Sequence, residues 1–207
     1  RNGDIVMVRA HLYNSSLSAE QFLFYEIRIA AKYYIDGITI EEAINIIKKD
    51  NLFQYPTERK VSRIARACYK RLDALGNEQL VHELAFAPSE IAKQINLYAI
   101  MKYNRLVWEF MIQVIGEKYS NQDFSFSRKD LNAFFTRLQA QNDSVSAWSD
   151  NTVKKIKSVL VRILVETEYL DGIRSTTLNP VLLCEELEEG IRANHDDDAL
   201  PAFNCFR

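Results

Sequence analysis

The sequence predicts a mainly α-helical protein: an N-terminal helical bundle packed on a C-terminal winged-helix-like domain. Three observations lead there. Among 207 residues only 6 are Gly and 4 are Pro, too few for the tight turns of an all-β or turn-rich α/β chain. Apolar residues recur at three- and four-residue spacing through most of the chain, the period of a helix with one buried face. After residue 104 the order becomes helix, short strand, helix, turn, long helix, hairpin-like segment, which matches a winged helix-turn-helix. Hydrophobic residues make up 47% and charged residues 26%, enough apolar material for a sizeable core and too little charge for wholesale disorder.

Residues 4 to 13, DIVMVRAHLY, read as an extended arm or short strand. Ser16 or Ser18 then caps a helix with Ala19 and Glu20 in its first turn. Phe22, Tyr25, Ile29 and Tyr33 give it helical periodicity, and Gly37 ends it. Thr39 and Glu42 form a capping box for TIEEAINIIKK, whose buried stripe is Ile40, Ala43, Ile44 and Ile47. Pro56 and Thr57 start TERKVSRIARACYKRLDAL. Val61, Ile64, Ala65, Cys68 and Leu72 form its inner face, and Arg59, Lys60, Arg63, Arg66, Lys70 and Arg71 the rest. Those six cations against Glu58 and Asp73 leave the helix at a net +4. Gly76 stops it. A helix NEQLVHELAFA ends near Pro88, another runs from Ser89 to Tyr103, and RLVWEFMIQVIGEKY buries Val107, Phe110, Met111, Val114 and Ile115. No Gly/Ser-rich linker separates the parts, and the division expected is 1–103 and 104–207.

In the second part FSFS alternates as a very short strand would. Ser127 and Asp130 cap RKDLNAFFTRLQAQ, the polar connection NDSVSA follows, and Ser149 caps WSDNTVKKIKSVLVRILVE. In YLDGIRSTTLNP, Asp171-Gly172 is a turn signal and the flanks can be extended. Pro180 opens a last helix, PVLLCEELEEGI. The chain then turns acidic: from Glu185 to Asp198 seven carboxylates meet one Arg, a net charge of -6, which reads as a mobile acidic tail.

Signals for catalysis are thin. His11, His82 and His195 lie far apart and form no metal spacing, and no phosphate-binding glycine loop or nucleophile elbow is present. HDDDA at 195 to 199 has metal-like residue types, yet an acidic chain end explains it more simply. The expectation is no enzyme activity, no cofactor and no metal. Cys68, Cys184 and Cys205 are widely spaced, as reduced thiols in a cytoplasmic protein would be. The apolar run from Val159 to Val165 is broken by Arg162, far short of the ~18 uninterrupted residues of a membrane span.

Two basic helices remain. In 57 to 75 the cations cover more than half of the circumference. They are either a solvated face paired with acidic neighbours such as Glu41, Glu42 or Asp50, or a face that gains affinity from phosphates by releasing counterions. The stretch 148 to 166 is more pointed. Val153, Ile156, Leu160, Ile163 and Leu164 face inward, with Val159 and Val165 widening the stripe. The first turns present Asn151, Thr152, Lys154, Lys155, Lys157 and Ser158. Three lysines there oppose the positive end of the helix dipole, which stability alone would not favour. A recognition helix is built this way, its first turns in the groove and its later turns anchored in the domain.

These stretches carry a resemblance. SAEQFLFYEIRIAAKYYIDG, NLFQYPTERKVSRIARACYKRL and DLNAFFTRLQAQNDSVSAWSDNTVKKIKSVLVRILVETEYLD are similar to the BrxA family, small accessory proteins of BREX bacteriophage-defence systems. The resemblance covers nearly the whole chain. It implies a helical protein with an N-terminal part like the RNA-binding antitermination factor NusB and a winged-helix-like C-terminal part. The implied role is non-enzymatic DNA binding beside a BREX methyltransferase and ATPases. The connection from Gln141 to Ala147 departs from a standard helix-turn-helix, being longer than three or four residues.

The binding reading is therefore double-stranded DNA held largely through phosphates by Asn151, Thr152, Lys154, Lys155, Lys157, Ser158 and Arg174, with Arg59, Lys60, Arg63, Arg66 and Lys70 as a second basic face. The alternatives are a protein-protein adaptor that docks other BREX components, and RNA binding by the NusB-like part. Self-association into a homodimer would double the phosphate contacts, but no interface is legible.

Overall fold

The computed structural model describes residues 13–206. In chain order the elements are a 3-10 turn Ser16–Ser18, then α1 (Phe24–Ile35), α2 (Ile40–Lys49), α3 (Glu58–Leu75), α4 (Glu78–Phe86), α5 (Ser89–Tyr103) and α6 (Arg105–Phe110). Helix α6 runs on through a π-helical stretch, Met111–Gly116, into a last turn, Glu117–Ser120. There follow α7 (Arg128–Gln141), the short α8 (Asp143–Ser146), α9 (Asp150–Glu166), α10 (Glu185–Ala193) and a 3-10 helix Asp197–Phe203. The protein is all-α, and among the described residues the only β pairing is one antiparallel bridge, Ser125 to Thr177. The strand expected at FSFS shrinks to that bridge. The arm expected from residue 4 falls, up to residue 12, outside the described residues.

The described chain forms two compact units. One comprises 22–103 and 184–195, the other 13–21, 104–183 and 196–206. In the first, α1 packs on α3 and α4, α5 packs on α3 and α4, and α2 covers α3. The capping box read from the sequence forms as expected, with Thr39 and Glu42 closing it on α2. Asn77 Oδ1 accepts from the Leu80 amide at the start of α4, a cap not read from the sequence. The buried face of α3 includes Val61, Ile64, Ala65, Cys68 and Leu72, as the spacing required.

Several expectations for this part of the chain fail, each for a physical reason. Helix α1 does not begin at Ser16 or Ser18. That stretch is a 3-10 turn, and Leu23 adopts a left-handed φ of 55° just before the helix. The face of α1 that is buried is Ile27, Ala30 and Ala31, while Tyr25 is exposed. The alanines have no bulk to signal burial but allow close approach of the backbone. Arg71, read as an outer cation, is 1% exposed. Its guanidinium donates to the Phe22 carbonyl at 3.0 Å, and Asn96 Nδ2 donates to the same oxygen at 2.8 Å. A buried side chain of this length is tolerated only with such partners. The acidic segment is also no mobile tail. Helix α10 buries Leu187, Gly190 and Ile191 within this unit. A Cβ on Gly190 would lie 2.5 Å from Leu80 Cδ1, so any other residue there would force the Leu80 side chain to shift where α10 approaches α4. The helix starts at Glu185 rather than at Pro180, with Cys184 donating its amide to Gln94 Oε1 at 2.9 Å.

The second unit has the π-helical stretch packed on the 3-10 helix Asp197–Phe203. Ala199, Leu200, Ala202 and Phe203 are buried there, an apolar segment hidden in the sequence behind the acidic run. Phe110 and Phe134 pack edge to face at 5.5 Å between α6 and α7. Ser127 and Asp130 form a capping box on α7, and Ser149 Oγ caps α9 by accepting from the Thr152 amide.

Candidate nucleic-acid interface

Helix α9 is anchored by its inner face. Val153, Ile156, Val159, Leu160, Ile163 and Leu164 are all buried. The remaining positions of its first turns are therefore turned outward by geometry alone. Asn151, Lys154, Lys155 and Ser158 are exposed. Thr152 is partly committed to the cap, its hydroxyl 3.0 Å from Ser149 Oγ. Lys157 is partly committed too. Its ammonium donates to Asn132 Oδ1 at 2.8 Å and lies 5.3 Å from the centre of the Phe135 ring.

Those contacts link the N-terminal half of α9 to α7 at Asn132 and Phe135. Asn132 stands one turn after Arg128 and Lys129, which are both exposed. Residues three and four apart share a helix face, so the outer surface of α7 near α9 is also cationic. Neither residue was singled out from the sequence. The signal was available, since a cationic pair in a first turn opposes the helix dipole as the α9 lysines do. Arg162, noted only as a break in an apolar run, is exposed four residues after Ser158 and continues the outer stripe of α9.

The segment after α9 joins the same region. It is tied to the end of the helix by Leu170 N to Leu164 O at 3.1 Å, with Tyr169 and Leu170 buried. Phe126 donates its amide to Thr176 O and Leu178 donates to Phe124 O. Phe124 and Phe126 thus pair in antiparallel register with Leu178 and Thr176, which runs the intervening turn out toward the start of α7. The turn itself is braced by Ser175 N to Gly172 O at 3.0 Å and Gly172 N to Ser175 Oγ at 3.0 Å. Asn179 Nδ2 closes its base, donating to Asp171 Oδ1 and Glu168 O. Arg174 and Ile173 sit in this turn, both exposed. Two helix starts and one braced turn thus carry cations outward from a single frame.

The second basic face is differently built. Arg59, Lys60, Arg63, Arg66 and Lys70 are exposed on α3, but two of them are occupied. Arg66 makes a two-pronged contact with Glu41, at 2.7 and 3.0 Å. That hydrogen bonding holds the Glu41 carboxyl below its ordinary pKa and raises that of Arg66. Lys60 lies 4.1 Å from the centre of the Tyr55 ring. Lys48 pairs with Glu58 at 3.8 Å at the start of the helix. The face is thus partly neutralised by its neighbours, Glu41 among them as the sequence suggested.

Nothing among the described residues groups three or more His, Cys, Asp or Glu side chains as metal ligands. None of the described helices is long and apolar enough to cross a membrane.

The model of the BrxA family matches residues 11–195 of the chain. The chain belongs to the BrxA family. Two proteins carrying the name BREX protein BrxA are similar along nearly all of it. That of Bacillus cereus (strain H3081.97) is 33% identical over 191 residues, covering 92% of this chain and 95% of that one. That of Paramagnetospirillum magneticum (strain ATCC 700264 / AMB-1) is 22% identical over 186 residues, covering 89% and 92%. The crystal structure of an uncharacterized protein from Magnetospirillum magneticum superposes with a TM-score of 0.79 at 20% identity, over 92% of this chain and 97% of that one. This last likeness shows a common fold. The match of the BrxA family model ends at residue 195, so it takes in α7, α9, the braced turn and α10.

Proposed function

We propose that this protein is a non-enzymatic, DNA-binding accessory component of a BREX phage-defence system, cytoplasmic in location. In this reading the 104–183 region is a winged helix-turn-helix, with α9 as the groove-facing helix and the braced turn as its wing, and the 22–103 bundle is NusB-like. The observation that carries it is a set of exposed cations, Lys154 and Lys155 on α9, Arg128 and Lys129 on α7 and Arg174 in the turn, on elements joined by the Lys157–Asn132 and Phe126–Thr176 hydrogen bonds. The relatives named BREX protein BrxA supply the BREX context.

The grip is on phosphate more than on sequence. Lysine binds phosphate as a point charge, whereas base reading calls for bidentate Arg, Asn or Gln pairs. Asn151 is the one side chain of the outer α9 face suited to an adenine edge. Lys157 has a positioning part, since its contact with Asn132 aligns α7 with α9.

The test is binding of a fluorescent duplex followed by anisotropy at several salt concentrations, comparing the wild type with Lys154→Glu/Lys155→Glu. Both lysines are exposed, so the variant folds. The expected result is binding that weakens steeply with salt and is lost in the variant. Equal binding by both would remove α9 from the interface. Co-purification of another BREX protein, with no retention of DNA, would favour the adaptor role instead. That role draws on Tyr25, Ile35 and Phe86, which are exposed on α1 and α4. Structured RNA outcompeting the duplex would favour the NusB-like reading.

A further inference from the structure

We propose that the 171–175 turn is a wedge: Ile173 enters the minor groove at a flexible base step and kinks the duplex, with Arg174 beside it in the groove. This rests on the DNA-binding reading above and adds a shape preference to it.

The first ground is exposure in a rigid setting. Ile173 is 69% exposed, and it sits in a turn that has little freedom to fold the side chain away. The turn is held across by the Gly172–Ser175 hydrogen bonds and closed at its base by Asn179. Below that base Tyr169, Leu170 and Leu178 are buried, at 1%, 2% and 1% exposure. A scattered surface isoleucine needs no explanation. One carried on a braced turn, with its chain neighbour an exposed arginine, has the two side-chain types that minor-groove proteins use together. The aliphatic group unstacks a step and the cation binds beside it in the groove.

The second ground is placement. The pairing of Phe124 and Phe126 with Leu178 and Thr176 directs the turn toward the start of α7. The Lys157–Asn132 contact brings the start of α7 to the first turns of α9. The base of the turn is tied to the end of α9 by Leu170 N to Leu164 O and Asn179 Nδ2 to Glu168 O, so a duplex lying along the outer face of α9 and the start of α7 would meet the turn past that end, in the adjoining minor groove. Leu182, the most exposed large apolar residue among the described residues at 80%, lies outside the turn and is not part of the wedge.

Two properties follow. Binding is accompanied by a bend, since wedge insertion kinks duplexes by ~20 to 90°. Duplexes with central TA or CA steps are preferred over A-tracts, because pyrimidine–purine steps unstack with the least cost.

The experiment uses a duplex of about 30 base pairs, a length over which a kink shortens the end-to-end distance measurably. It carries a dye at each end and 2-aminopurine beside a central TA step. Wild type and Ile173→Ala are compared, with circular dichroism confirming that both are folded. The result expected is closer dyes and brighter 2-aminopurine on binding by the wild type. In the variant both signals are lost and the preference for the TA duplex disappears, while the salt-dependent affinity is largely retained. The proposal is overturned if the wild type binds and leaves both signals unchanged, or if the variant bends the duplex equally. In those two cases the phosphate grip survives. If the wild type shows no binding at low salt, the DNA reading fails and the wedge with it.

Discussion

Asp123 shows how a single exposed side chain organises the entrance to α7. Its carboxylate accepts from Ser125 Oγ at 2.6 Å, from Lys118 Nζ at 3.0 Å and from the Ser125 amide at 2.9 Å. Lys118 also pairs with Asp130 at 3.2 Å, and Asp130 closes the capping box of α7. These contacts, the Ser125 hydroxyl foremost, hold the Asp123 carboxyl down to a pKa of about 2. A depressed carboxylate stabilises the folded state fully above its unfolded pKa of about 4, and that stabilisation is lost as pH falls through the folded value. The expected outcome is that Asp123→Asn melts at a lower temperature than the wild type at neutral pH. The gap should narrow below about pH 4 and close near pH 2, the folded value. Melting curves across that range check it, and a gap independent of pH would remove the charge from the explanation. Residues of this kind are only half legible from sequence. Ser127 and Asp130 announced their capping box through spacing. Lys157 and Arg71 did not announce their partners, because Asn132 and the Phe22 carbonyl lie 25 and 49 positions away.

Among the elements, those with strong periodicity and caps were readable to within a residue or two. Helices α3 and α7 are the clearest, each bounded by a cap and each burying a stripe at helical spacing. Where small residues or tertiary contacts set the structure, the pattern fell short. Helix α1 turns its alanines inward, and the α6 run hides a π-helical stretch behind an ordinary apolar pattern. Gly116 ends that stretch where it meets the 3-10 helix Asp197–Phe203. A Cβ there would stand 3.1 Å from the Ala202 amide nitrogen and 3.3 Å from the Pro201 carbonyl carbon. Both are backbone atoms of the 3-10 helix Asp197–Phe203, which cannot yield as a side-chain tip would. Gly116→Ala should therefore destabilise the protein by about 1 to 3 kcal/mol, the usual range for overpacking. Chemical denaturation would read this as a lower midpoint. A variant as stable as the wild type would show that the 3-10 helix can move aside. The candidate site follows the same division. The exposed lysines of α9 were legible from its amphipathic pattern, whereas the parts played by Arg128 and Lys129 depend on how α7 meets α9.

For the whole molecule, the proposed DNA binding has two basic faces to draw on, and the chemistry of the two differs. On α3, Arg66 is held by Glu41 and Lys60 rests on Tyr55, so releasing either to a phosphate would first break an existing contact. On the α7–α9 surface Lys154, Lys155, Arg128 and Lys129 are exposed. Counterion release makes each phosphate contact count about 0.9 in the slope of log affinity against log salt, so about 4 to 6 contacts give a slope near -4 to -5. We predict that Lys154→Ala/Lys155→Ala makes that slope shallower by about 2, two contacts' worth. Arg59→Ala/Arg63→Ala/Lys70→Ala should leave it unchanged. Anisotropy titrations at four or more salt concentrations measure both slopes on one duplex. If the α3 variant instead flattens the slope by about 3, both basic faces engage the duplex and the grip is not confined to the α7–α9 frame. If neither variant changes it, the phosphates are held elsewhere, and the cations of α3 and α9 are solvated surface that serves solubility.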